Sequence, residues 1–161
     1  MKKSIWISIY IASIVLANVC TVYFGLVPIG FGLMVTAGTF AAGFALIARD
    51  AVQVSSGKIV VLVAIIAGAA ISAVTSNPAI AVASGIAFLV SELVDFAVFT
   101  PLRAKNLALA VVASSVISAP VDTVLFLHLA GFGLSWQAVL GQFIIKTALA
   151  LLAAVIISVK K

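Results

Sequence analysis

Charge is scarce in this chain, and negative charge scarcest: 161 residues include nine Lys and Arg but only four Asp and Glu. Charged residues make up 8% of the chain, against roughly 25% in a soluble domain, so this composition cannot build a water-facing surface. A single cysteine, Cys20, excludes an intrachain disulfide and any Cys-based metal cluster. The lone histidine, His128, has no second His or Cys to share a metal with and reads as an interfacial residue near the end of a helix. Also missing are a nucleotide-binding loop and a nucleophile–base pair, which sets aside autonomous ATP hydrolysis. An intramembrane enzyme is the least favoured class, and no cofactor, metal or catalytic residue is expected. The net charge of +5 lies at segment ends rather than in a basic patch interleaved with aromatics, so nucleic acid is not an expected partner.

What is abundant is apolar surface. The chain is 65% hydrophobic with a mean hydropathy of +1.41, too much for a globule of this size to hide, so lipid is its solvent. A membrane crossing needs about 20 apolar residues. Turn and polar residues divide 1–161 into spans near 5–24, 31–49, 58–75, 79–100, 105–129 and 136–158 of a single membrane domain. The dividers are Gly25 to Gly30, Arg49 to Gly57, Ser76-Asn77-Pro78, Pro101 to Arg103, and Gly131 to Ser135. Lys2 and Lys3, Arg49 and Lys58, Arg103 and Lys105, and Lys160 and Lys161 flank alternate connections, and the other connections hold no Lys or Arg. The positive-inside rule then predicts an all-α polytopic protein of the cytoplasmic (inner) membrane, with six transmembrane helices and both termini cytoplasmic. The first apolar run superficially resembles a signal peptide, but it is long enough to span and bulky Val19 precedes Cys20, so it reads as a retained helix. Trp6 and Trp136 fall near opposite interfaces, as anchors do.

Ions inside such spans are costly, roughly 2.5–3.5 kcal/mol each on insertion scales, and mark pathways or binding sites. Glu92, Asp95, Asp122 and Lys146 are the candidates. Depth along the helices places Lys146 near the midplane, Asp122 in the outer half, Glu92 in the inner half, and Asp95 one turn closer to the cytoplasm. Lys146 is within reach of Asp122 on the neighbouring span, either as a structural pair or as part of a site. Two deep acids then face one deep base, so the surplus acid is protonated, hydrated or completed by a ligand. For Asp95, cytoplasmic water and a pair with Arg103 are both open. Asn18 and Gln142 add neutral polar groups, Gln142 one turn before Lys146, as interhelical glue or as ligand contacts. Pro120 removes a backbone donor beside Asp122, and Phe96, Phe99 or Phe126 could stack on a planar ligand.

In this setting several stretches are telling: Ala17-Asn18, AGTFAAGFALIARDAVQ (37–53), SELVDFAVFTPLR (91–103), APVDTVLF (119–126) and GQFIIK (141–146). Together they resemble the vitamin uptake transporter family, also called the queuosine precursor transporter family, in order along five of the six spans. The resemblance implies import of the 7-deazaguanine bases preQ0 and preQ1. It carries over Asn18, Asp50, Asp95, Arg103, Asp122, Thr123 and Lys146 as matching polar positions, with Glu92 shared by one subset and Pro120-Val121 apolar where some members are more polar. The expected substrate-binding set is Asn18, Glu92, Asp95, Asp122, Thr123, Gln142 and Lys146, with Asp50 and Arg103 structural or gating. A carboxylate can accept the adjacent N–H donors of a deazaguanine as a bidentate pair, with Asp122 first choice and Glu92 second. The expected partners are a purine-like small molecule and the bilayer, with a homo-oligomer and a separate energising module left open. A substrate-binding subunit of such a module, and a small pore-forming or scaffolding protein tolerant of charge neutralisation, are the competing readings.

Overall fold

The computed structural model describes residues 3–74 and 78–159. Six helices are present: α1 (Lys3–Phe24), α2 (Thr39–Ser56), α3 (Lys58–Val74), α4 (Pro78–Leu102), α5 (Leu107–Leu129) and α6 (Trp136–Val159). A hairpin of β1 (Leu26–Gly30) and β2 (Leu33–Thr36) lies between α1 and α2. Lys2, Lys160, Lys161 and the Ser76-Asn77 part of one expected divider lie outside the described residues. Four helices, α1, α4, α5 and α6, are long and apolar enough to cross a membrane.

The second span departs from the sequence expectation. It does not begin at residue 31, because 26–36 is the antiparallel hairpin, and the helix starts only at Thr39. Pro28 lacks the amide a helix needs, while Leu26-Val27 and Met34-Val35-Thr36 suit strands. At the tip, Gly30, Phe31 and Gly32 all adopt positive φ (95°, 53° and 73°), a run no helix tolerates. Phe31 stands fully exposed there. The other end of the helix moves as well: Arg49 to Ser56, expected as a connection, is helical, and Gly57 alone links α2 to α3. Arg49 can sit within a helix because its charge is met inside the bundle, as described below.

Short connections make successive helices antiparallel, giving the bundle a terminal end, where α1 begins and α6 finishes, and a hairpin end. α4 packs mainly on α5, α1 on α2, and α5 on α6, while β2 lies against α6. That last contact needs Gly141, since a Cβ there would overlap the Met34 carbonyl. Gly38 likewise brings the start of α2 against the Ala17 carbonyl of α1. Near the terminal end the apolar core joins Tyr10 and Ile14 to Ala45, Ala48, Val52, Val61 and Ile65. Outside, large apolar side chains such as Leu16, Ile66, Val82 and Leu152 are more than half exposed, while Arg49, Gln53, Glu92, Asp95 and Lys146 are buried. Polar inside and apolar outside is the inverse of a water-soluble protein, and it suits a hydrocarbon surround.

Candidate functional site

Towards the hairpin end, α1, α2, α3, α4, α5 and α6 surround a cavity of about 50 Å³. Its wall includes Asn18, Thr36, Thr39, Ser84, Asp122, Gln142 and Lys146, with Phe88 and Phe126 as its aromatic faces. The late start of α2 matters here. Gly38 and Thr39 line the cavity, so the free amides and positive dipole of a helix N-terminus lie beside it at depth. Thr36 and Thr39 hydroxyls are 3.0 Å apart and tie the hairpin to that first turn.

Lys146 organises the floor. Its Nζ donates to Asp122 Oδ2 at 2.6 Å, to Thr123 Oγ1 at 2.9 Å and to Gln142 Oε1 at 3.4 Å. Its three ammonium hydrogens are thereby used, and the cation is locked between α5 and α6. Asp122 retains 18% exposure, and its other oxygen accepts from Ser91 at 3.2 Å. A carboxylate oxygen has spare lone pairs, so Asp122 can accept further donors from the cavity. Gln142 supplies the complement, because its buried Nε2 has no hydrogen-bond partner.

Asn18 clamps the roof. Its amide donates to the Ser72 carbonyl (2.9 Å) and hydroxyl (3.1 Å), and its oxygen accepts from Ser84 at 2.8 Å. It therefore joins α1, α3 and α4 while lining the cavity, combining the glue and lining readings.

A second polar layer lies nearer the terminal end, centred on Arg49. Its Nε donates to Glu92 Oε2 at 2.8 Å, and Nη1 to Asp50 Oδ1 at 2.6 Å and Gln53 Oε1 at 3.3 Å. Nη2 donates to the Glu92 carbonyl at 3.0 Å and lies 2.7 Å from Asp95 Oδ1, an ion pair without hydrogen-bond alignment. The Phe99 ring is 5.8 Å from the guanidinium carbon. Ser118 donates to Asp95 Oδ2 at 2.9 Å. Arg49, Glu92 and Asp95 are all fully buried.

The predicted site thus divides in two. Asn18, Asp122, Gln142 and Lys146 meet around the cavity, with Thr123 behind Lys146. Glu92 and Asp95 do not line it; further along α4, towards its C-terminus, they meet Arg49. Asp95 neither meets water nor pairs with Arg103, which instead donates to the Gln53 carbonyl at 2.8 Å. Phe99 stacks on Arg49 and Phe96 packs in the core beside Tyr10, leaving Phe126 from the expected stacking set at the cavity. Sequence reasoning missed Thr36, Thr39, Ser72, Ser84 and Phe88. On α4, Ser84, Phe88 and Ser91 stand at helical spacing on the face that Glu92 and Asp95 continue, a signal that could have found Ser84 and Phe88; Thr36, Thr39 and Ser72 carry no such signal.

No curated protein and no solved structure is matched by the chain. A family model does match, over residues 2–159. The chain therefore belongs to the family described as "Putative vitamin uptake transporter".

Proposed function

We propose that this protein is a small carrier of the cytoplasmic membrane that moves planar, purine-like bases inward, with the 7-deazaguanines preQ0 and preQ1 as its substrates. The observation that carries the reading is the donor and acceptor set at one cavity. Asp122 offers an acceptor with spare capacity, Gln142 an unused donor, and Phe88 and Phe126 aromatic faces. A deazaguanine presents adjacent N–H donors, a ring carbonyl and two flat faces, which such a set complements. Asp122 accepts the N–H pair, Gln142 Nε2 donates to the carbonyl, and the amides at the start of α2 favour an acceptor group on the substrate.

A cavity of about 50 Å³ is smaller than the roughly 150 Å³ that a benzene-sized guest occupies. Entry of a bicyclic base therefore requires movement of the walls. The hairpin is the movable wall the fold offers, since a two-stranded ribbon is marginally stable by itself. Both termini are cytoplasmic in this reading, so the hairpin end faces outward and meets incoming substrate. Membership of a transport family and the inverted polarity of the bundle support it.

The test is a bacterium that cannot make preQ0 and lacks its own importer, expressing this chain and supplied with preQ0 or preQ1 at low concentration. Queuosine in tRNA should appear, and should be lost with Asp122→Asn at unchanged membrane abundance. No queuosine with either base, despite folded protein in the membrane, would refute the substrate assignment.

A further inference from the structure

Around Arg49 the charges do not balance. Asp50, Glu92 and Asp95 each approach one guanidinium, so full ionisation would leave two negative charges in excess in a buried layer. Among the described residues, the surrounding elements do not supply the missing cations. α1 contributes the Tyr10 hydroxyl, and α5 contributes Ser114 and Ser118. Arg103, at the end of α4, is spent on the Gln53 carbonyl. Lys146 of α6 is spent on Asp122, and Lys58, the first residue of α3, is exposed. A metal ion is a poor substitute. Among the described residues no group of His, Cys, Asp and Glu is arranged to hold one, and the guanidinium occupies the centre of the cluster.

The oxygens show where protons fit. Asp95 uses both of its own, one against Arg49 and one accepting from Ser118. Asp50 and Glu92 each use one oxygen on Arg49, and their second oxygens, Asp50 Oδ2 and Glu92 Oε1, are buried without a hydrogen-bond partner. Asp50 lies within reach of Asp95, and two carboxylates cannot bond unless one carries a hydrogen. Tyr10, fully buried on α1, lies against Glu92 with its hydroxyl also unpartnered. A proton on Asp50 Oδ2 donates to Asp95. Three acids against one guanidinium leave a second charge to cancel, and with both oxygens of Asp95 committed it falls to Glu92, beside the Tyr10 hydroxyl.

We propose that the Arg49 cluster is a proton-binding site that holds two protons at neutral pH, one on Asp50 and one on Glu92. Of the cluster, Asp50 borders the apolar groove at the terminal end between Trp6, Val54, Leu107 and Ile156. The site is separate from the cavity and does not depend on what the protein carries.

With four acidic side chains in the whole chain, the protons can be counted. The full-length protein, purified in lipid nanodiscs at neutral pH, is examined by infrared spectroscopy, where a protonated carboxyl absorbs apart from a carboxylate. The expected intensity is that of two protonated carboxyls, calibrated on a free carboxylic acid. Asp50→Asn and Glu92→Gln should each halve it, Asp122→Asn should leave it unchanged, and alkaline titration should lower it reversibly. Absence of the band at neutral pH would overturn the proposal, as would a band that disappears with Asp122→Asn or one that varies with sodium at fixed pH. So would failure of both amide variants to accumulate, because an amide matches a protonated carboxyl in shape and charge. These readouts need no substrate, so they stand or fall apart from the import assay.

Discussion

At the residue scale, the Lys146–Asp122 pair tests whether an intramembrane ion pair serves structure, binding or both. Breaking a buried pair by removing one partner costs about 3–5 kcal/mol, because the other charge is left stranded. Lys146→Met should therefore lower the thermal stability of the purified protein and abolish uptake. The double variant Asp122→Asn with Lys146→Met removes both charges. It should regain most of the stability, measured by thermal unfolding in detergent, yet stay inactive in the queuosine assay. Restored uptake would make the pair purely structural. Asn18 carries a different load, since its hydrogen bonds with Ser72 and Ser84 tie α1 to α3 and α4. Asn18→Ala cuts those ties and takes the acceptor from the Ser84 hydroxyl, and a loss of roughly 1–3 kcal/mol in the same unfolding measurement is expected.

At the element scale, the hairpin and the start of α2 hold the least predictable part of the fold. Six helices could be read from hydropathy because a membrane crossing imposes a length that any run of apolar residues must meet. The hairpin could not, since its residues are as apolar as the helices, and only Pro28 and the Gly30-Phe31-Gly32 tip distinguish them. Hydropathy also ended the second span at Arg49, because it treats an arginine as a sign of water. It cannot register that Asp50, Glu92 and Asp95, two of them from a distant helix, neutralise the guanidinium. Asp122 and Lys146 could be paired in advance because they fall on successive antiparallel helices at similar depth. The partner of Glu92 and Asp95 was not legible, because Arg49, which both meet, reads from hydropathy as part of a connection and not of a buried helix.

The hairpin's seat can be tested by side-chain volume. Gly141→Val would drive a branched side chain into the Met34 backbone, where flexible atoms cannot yield. Overpacking costs about 1–3 kcal/mol or more, and here it also displaces Thr36 from the cavity. Gly133→Ala is the matched control: nothing lies within 4 Å of its added Cβ, and the strain comes only from φ +76°, about 1–2 kcal/mol. Gly141→Val should reduce uptake at least tenfold at equal abundance while Gly133→Ala retains it. Equal activity of the two would mean that β2 need not rest on α6.

At the scale of the whole molecule, the two polar layers give the bundle a direction. The cavity lies towards the hairpin end and the Arg49 cluster towards the terminal end, and one face of α4 serves both: Ser84, Phe88 and Ser91 in its earlier turns, then Glu92 and Asp95. The basic residues are sorted along the same axis. Lys58, Arg103 and Lys105 cluster at the terminal end, and the described connections at the hairpin end contain neither Lys nor Arg. Cytoplasmic connections hold the excess of Lys and Arg in membrane proteins, so the hairpin tip should be extracellular. Cys20 is the only thiol, so a Cys20→Ser background allows single cysteines to report on sidedness. In intact cells, Phe31→Cys at the exposed tip and Leu134→Cys before α6 should react with a membrane-impermeant maleimide. Lys58→Cys and Lys105→Cys should react only after permeabilisation. Labelling of Phe31→Cys and Lys105→Cys from the same side would break the alternation, because α2, α3 and α4 lie between them and an odd number of crossings must separate opposite faces. Reaction of all four only after permeabilisation, with an external control cysteine labelled normally, would place the bundle in another membrane of the cell. Either result would remove the outward-facing cavity on which the import reading depends.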